Sequence, residues 1–184
     1  MLHRYSIIIH PNENIIELFK SYKEILFDTI GDFGSRNSLP HITILEFDAT
    51  ENELKSVIGK LVKITESEVS FRSVFNQVVY STTVLVLPNR NEHFKKLLDK
   101  VRNRIKGEKN KSNAHLTIGR NLKPEQIEKS QNLFPSINFE FECNQLALRK
   151  LNPEIKQFEI MHIFPFNGKP NQGRFEQMTL DWDL

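Results

Sequence analysis

Two short stretches of this 184-residue chain carry one residue pattern, Pro40-His41-Ile42-Thr43-Ile44 and Ala114-His115-Leu116-Thr117-Ile118. Each reads histidine, apolar, threonine, apolar, with the β-branched and aliphatic content of a strand. Side chains alternate along a strand, so His41 and Thr43 share one face while Ile42 and Ile44 take the other. His115 and Thr117 are set against Leu116 and Ile118 in the same way. One His-x-Thr would be weak evidence, since a lone histidine on a strand is more often structural. Two copies turned toward each other bring two imidazoles and two hydroxyls to one small anion. That set suits phosphoryl transfer. Histidine, with an ordinary pKa of about 6.5, can accept a proton on one side of phosphorus and deliver one on the other. The hydroxyls of Thr43 and Thr117 can donate hydrogen bonds to the non-bridging oxygens, and β-branching restricts their rotamers.

The elements that must position these residues repeat along with them. Tyr5 to His10 reads as a strand ended by Pro11, followed by a helix capped at Asn12 or Asn14 that runs to about residue 27. A loop over 31–39 precedes the first motif strand, 41–47. Thr50-Glu51-Asn52-Glu53 is a capping-box pattern that opens a second helix. Strands are expected from Val69 to Val74 and from Val78 to Leu87, then a helix carrying Phe94 to Ile105. A lysine-rich loop, 107–113, leads to the second motif strand, 115–118. Pro124 starts another helix. Strands follow at Ile137 to Leu148 and Glu159 to Phe166, and Gln177 to Leu184 alternates weakly as an edge strand. Tyr5-Ser6 and Tyr80-Ser81 stand at nearly equal distances before their motifs, and Asn76-Gln77 and Asn144-Gln145 follow them. The unit therefore occurs twice, about 5–78 and about 80–148, with a strand region of about 149–184 after it. All 184 residues are read as one two-lobed domain.

Composition sets the class. Hydrophobic residues make up 39% and charged residues 26%, as in a soluble globular protein, and fourteen phenylalanines supply bulk for a core. A net charge of +2 does not by itself argue for nucleic acid or membrane. No apolar run approaches the ~18 residues of a membrane span. No secretion signal is recognised, and the lone Cys143, read as a buried small hydrophobe, suits a reducing compartment. The expected location is cytoplasmic. The basic run from Lys95 to Lys111 reads as a solvated helix face that can also guide an RNA end toward His115. His3, His10, His93 and His162 lack partners at motif spacing and are taken as structural or surface residues.

The paired motifs resemble the HxTx motifs of the two-histidine (2H) phosphoesterases, in particular the 2′-5′ RNA ligase-like and cyclic phosphodiesterase branch. Tyr5 to Pro11 and Phe139 to Leu148 are similar to that branch as well. The resemblance implies an α+β, bilobal, pseudo-twofold duplicated fold, with antiparallel sheets lining a central cleft and helices outside. It implies His41 and His115 as the acid/base pair, Thr43 and Thr117 as phosphate binders, and neither metal nor cofactor. For opening a cyclic phosphate, His115 is assigned as base and His41 as acid. Arg120 is a candidate substrate-binding residue because relatives often carry an arginine there, although simple alternation turns it away from the histidine face. Glu46 holds the equivalent place in the first half. Tyr5 and Tyr80 are candidates for stacking a base, against the commoner use of such rings in a core.

The implied activity is hydrolysis of 2′,3′-cyclic or 1″,2″-cyclic phosphates, with RNA ends or cyclic nucleotides as substrate and no obligate protein partner. Reversible 2′-5′ RNA ligation through the same site is one alternative; no Lys-x-Asp-Gly adenylation motif supports an ATP-driven route. A non-catalytic nucleotide or RNA-end binder is another. A two-histidine metal site would need Cys, Asp, Glu or further His at close spacing, which neither motif supplies.

Overall fold

Apolar periodicity and caps account for most of the elements in the computed structural model, which describes residues 1–108 and 112–169. In chain order they are β1 (His3–Ile9), α1 (Glu13–Ile30), β2 (Ile42–Ala49), α2 (Glu51–Glu66), β3 (Phe71–Tyr80) and β4 (Thr83–Pro88). Then come α3 (Glu92–Arg104), β5 (Leu116–Arg120), α4 (Pro124–Ser130), β6 (Phe139–Cys143), β7 (Gln145–Asn152) and β8 (Gln157–Pro165). The Asn12 side chain caps α1 by accepting from the Ile15 N–H at 3.1 Å. Thr50 and Glu53 form the capping box of α2. Ile15, Phe19 and Leu26 bury one stripe of α1; Phe94, Leu97, Leu98 and Val101 do so on α3. The strand expected at 177–184 lies outside the described residues, as do Lys109 and Lys111 of the basic run.

The strands form two antiparallel four-stranded sheets, ordered β2-β1-β7-β8 and β5-β4-β3-β6. The α+β fold expected from sequence is the fold observed. Each sheet has one plan: the motif strand at the edge, the strand that opens its repeat beside it, then two more. The third strand in each sheet comes from the other repeat. β3 follows the first motif but pairs with β4, while β7 follows the second and pairs with β1. The two halves are thus strand-exchanged, and neither sheet is complete without the other.

Two strand boundaries differ from the sequence reading. The chain from Phe71 to Tyr80 is one strand, and the break falls at Ser81–Thr82, where the Ser81 hydroxyl contacts both the N–H and the carbonyl of Thr83. Tyr80 therefore ends a strand, whereas Tyr5 lies within one. The single strand expected over 137–148 divides at Asn144 into β6 and β7, which belong to different sheets. The alternation Phe139-Glu140-Phe141-Glu142 passes into Leu146-Ala147-Leu148 with no glycine or proline between them, so the sequence carries no turn signal for this change of sheet. Cys143 is fully buried. Among the described residues no helix is long and apolar enough to cross a membrane.

Candidate active site

Each histidine stands immediately before its motif strand, at the free edge of a sheet. Ile42, Ile44, Leu116 and Ile118 are fully buried, while Thr43 and Thr117 are half-buried on the opposite face. Beyond the threonines both strands break alternation in the same way. In β2 the register slips so that Ile8 faces Thr43 and Ile7 faces Leu45, leaving Ile44 as an extra residue. In β5, Leu85 faces Thr117 and Val84 faces Gly119, leaving Ile118 extra. A bulge reverses the phase of every later side chain. It returns Glu46 and Arg120, each three residues past its threonine, to the histidine face. Simple alternation had turned Arg120 away; the bulge corrects this, and Arg120 lines a cavity with His41 and Thr43.

The loops leading into the motifs cross over to the opposite copy. The Arg120 N–H donates to the Gly34 carbonyl at 3.1 Å, and the Glu108 N–H donates to the Glu46 carbonyl at 2.8 Å. The loop before each histidine thus holds the bulged end of the other motif strand. Both crossings need glycine for close approach. A Cβ on Gly34 would lie 2.8 Å from the Arg120 carbonyl oxygen, and one on Gly107 would lie 2.7 Å from that of Glu46. Arg102 on α3 adds a third tie, donating to the carbonyls of Ile44 (2.9 Å) and Ser112 (3.1 Å). This member of the basic run serves the scaffold.

The two imidazoles are tethered identically. His41 Nδ1 lies 2.8 Å from the Leu39 carbonyl oxygen, and His115 Nδ1 lies 2.8 Å from that of Asn113. A carbonyl only accepts, so Nδ1 carries the proton in both rings and Nε2 is left to exchange one. Arg149 NH1 also approaches His41 Nδ1, at 3.4 Å. A guanidinium only donates, so this contact places positive charge beside an N–H and opposes protonation of the ring. Burial and then Arg149, with smaller contributions from Lys23 and Arg120, push the His41 pKa down to about 3. His41 is neutral at pH 7 in the free protein.

Arg149 and Lys23 were missed from sequence. Arg149 is 8% exposed, its NH2 donates to the buried Ser6 hydroxyl at 3.1 Å, and its guanidinium carbon lies 5.1 Å from the centre of the Phe158 ring. Burial pushes its pKa down to about 10, and the Nε is buried without a hydrogen bond. Lys23, on the inner stripe of α1, donates to the carbonyls of Ser35 (2.6 Å) and Ser38 (2.5 Å); burial followed by the Arg120 charge pushes its pKa down to about 8. Each had a signal. Arg149 directly follows the buried run Leu146-Ala147-Leu148, and Lys23 falls between Phe19 and Leu26 on a buried stripe.

The cavity beside His41 has a volume of about 450 Å³ and includes Thr43, Glu46, Arg120 and Arg149. Thr117, on the strand that ends at Arg120, and His115, just before that strand, do not line it. Neither tyrosine does. Tyr5 is 1% exposed and stacked on Phe47 at 5.5 Å, so its ring has no free face, which corrects the expectation that it stacks a base. The Tyr80 hydroxyl accepts from the Phe134 N–H at 2.8 Å, away from this cavity. A larger cavity, about 900 Å³, lies against the opposite face of β2 and holds neither histidine.

A family model described as the 2′-5′ RNA ligase superfamily matches residues 19–153, more than half of the chain. No curated protein matches significantly in sequence. Among solved structures, Escherichia coli LigT complexed with NADP+ superposes with a TM-score of 0.71 at 11% identity, over 91% of this chain and 99% of that one. TT0787 of Thermus thermophilus gives a TM-score of 0.70 at 17% identity, over 91% and 100%. LigT complexed with 3′-AMP gives 0.68 at 12%, over 90% and 99%. At these identities the likeness is one of fold.

Proposed function

Because the chain belongs to the 2′-5′ RNA ligase superfamily, we propose that it is a metal-independent phosphodiesterase that opens 2′,3′-cyclic or 1″,2″-cyclic phosphates at RNA or nucleotide ends. The observation that carries this reading is the pair of His-x-Thr motifs with matching bulges and matching Nδ1 tethers. In the reaction, a base takes a proton from water as its oxygen bonds to phosphorus. The bond from phosphorus to the 3′ oxygen breaks, and an acid protonates that oxygen, leaving a 2′-phosphate and a 3′-hydroxyl. Thr43, Thr117 and Arg120 hold the non-bridging oxygens, where charge is greatest in the transition state.

The cations around His41 favour exchanging the order assigned from sequence. A neutral imidazole with its proton on Nδ1 has a free Nε2 lone pair, which suits His41 to the base role. His115 then supplies the proton. With a 5′-hydroxyl in place of water, the same groups would open the cyclic phosphate by forming a bond from phosphorus to the 5′ oxygen as the bond to the 3′ oxygen breaks, giving a 2′-5′ link, the second activity in keeping with the family's name.

The test is a panel of 2′,3′-cyclic mononucleotides, ADP-ribose 1″,2″-cyclic phosphate and 2′-5′ oligoadenylate in EDTA, followed by phosphorus NMR. Conversion of a cyclic substrate to its 2′- or 1″-phosphate product is expected. Absence of turnover on the whole panel by folded protein contradicts the reading.

A further inference from the structure

One phosphoryl group needs two threonine hydroxyls and a cation or two, and the site holds more than that. Arg36, Arg120, Arg149 and Lys156 all line the cavity beside His41, and Lys23 lies under its Ser35–Ser38 wall. Only two carboxylates, Asp32 and Glu46, share the lining, and Glu46 is paired with Arg4 at 2.8 Å. Arg36 and Lys156 make no ion pair among the described residues. The Arg36 guanidinium carbon stands over Phe27, 3.2 Å from the ring centre, a cation–π contact that leaves its N–H groups able to donate to an anion. Arg149, on the same cavity, is buried and makes no salt bridge among the described residues, although the Glu46 charge favours its cationic form, and an anion in the cavity would supply further counter-charge.

The cavity is also too large for the reacting group alone. About 450 Å³ falls within the ~300–1,000 Å³ of pockets that hold whole small molecules. Its lining includes His41, Phe158 and Lys156 together. We infer that this cavity is a subsite for a second phosphate of the substrate, covalently remote from the ester being opened and held by Arg36 and Lys156 together with Arg149. The inference rests on the proposed phosphodiesterase activity and adds a substrate preference to it: cyclic-phosphate ends that carry a further phosphate are favoured over simple nucleoside cyclic phosphates. That phosphate is either a 5′-phosphate on the same nucleoside or the link to the preceding nucleotide.

Three substrates separate these sources: adenosine 2′,3′-cyclic phosphate, its 5′-phosphorylated form, and the dinucleotide ApA ending in a 2′,3′-cyclic phosphate. The wild type is expected to show at least about tenfold higher kcat/KM on one of the last two, carried mainly by KM, since charge-assisted contacts to phosphate are strong. In the R36Q/K156Q variant that preference falls to within about twofold, and in the wild type it shrinks as salt rises. Equal kcat/KM on all three, or a preference that survives in the variant, overturns the subsite. If none is opened, the phosphodiesterase reading fails and calorimetry decides the subsite separately. Adenosine 2′,5′-bisphosphate binding at least about tenfold more tightly than adenosine 2′-monophosphate, with the difference lost in R36Q/K156Q, supports it. Equal affinities overturn it.

Discussion

His41 sits in a field that works against its own protonation, and the largest contributor after burial, Arg149, can be removed. In R149Q the guanidinium beside Nδ1 is gone, so the His41 pKa rises from about 3 toward the ordinary histidine value. Proton NMR of the ring checks the direction, and an unmoved titration contradicts the electrostatic role. The same depression has a consequence for stability. Between pH 3 and about 6.5 the unfolded chain binds a proton at His41 that the folded chain does not, so stability attributable to this residue rises with pH across that window. It is fully present above about pH 6.5 and is lost as pH falls toward 3. The wild-type Tm is therefore expected to drop more steeply than that of R149Q between pH 7 and 4. The catalytic candidates were legible because two residue types recur at one spacing. Arg149 and Lys23 were less so, because a cation on an otherwise apolar face shows its meaning only once the facing element is known.

At the scale of elements, the motif strands are positioned by what departs from regular structure. The bulges at Ile44 and Ile118 leave no mark in hydrophobic alternation beyond one extra apolar residue, and for that reason simple alternation turns Arg120 away from the histidine face even though its position makes it a candidate. The crossing loops were equally hidden, since a glycine in a polar loop reads as a turn whether or not a carbonyl passes beside it. Their glycines offer a direct comparison. G34A and G107A force a Cβ against a backbone oxygen and are expected to destabilise by about 1–3 kcal/mol. Gly59 on α2 has nothing within 4 Å of its would-be Cβ, so G59A is expected to stabilise by about 0.5–1 kcal/mol. Urea unfolding of the three variants tests the contrast; neutral G34A and G107A would mean that the loops do not clamp the motif strands.

For the whole molecule, duplication was readable from the sequence, but the exchange of β3 and β7 between the halves was not, because strand partners lie far apart along the chain. Exchange ties each motif to a sheet completed by the other repeat, so the two histidines are parts of one folding unit. The described residues contain no group of three or more His, Cys, Asp or Glu that could hold a metal ion. Turnover is expected to persist in EDTA, and a loss restored by a divalent cation would contradict paired-histidine chemistry.

The central claim is that imidazoles from both repeats act on one phosphorus, and its most direct measurement is the turnover of a 2′,3′-cyclic nucleotide by H41A, H115A and the double variant. Each single change is expected to lower kcat by roughly 10²–10⁴-fold. The double variant should fall little further, because acid and base work as a unit. Near-normal turnover by either folded single variant would contradict the claim.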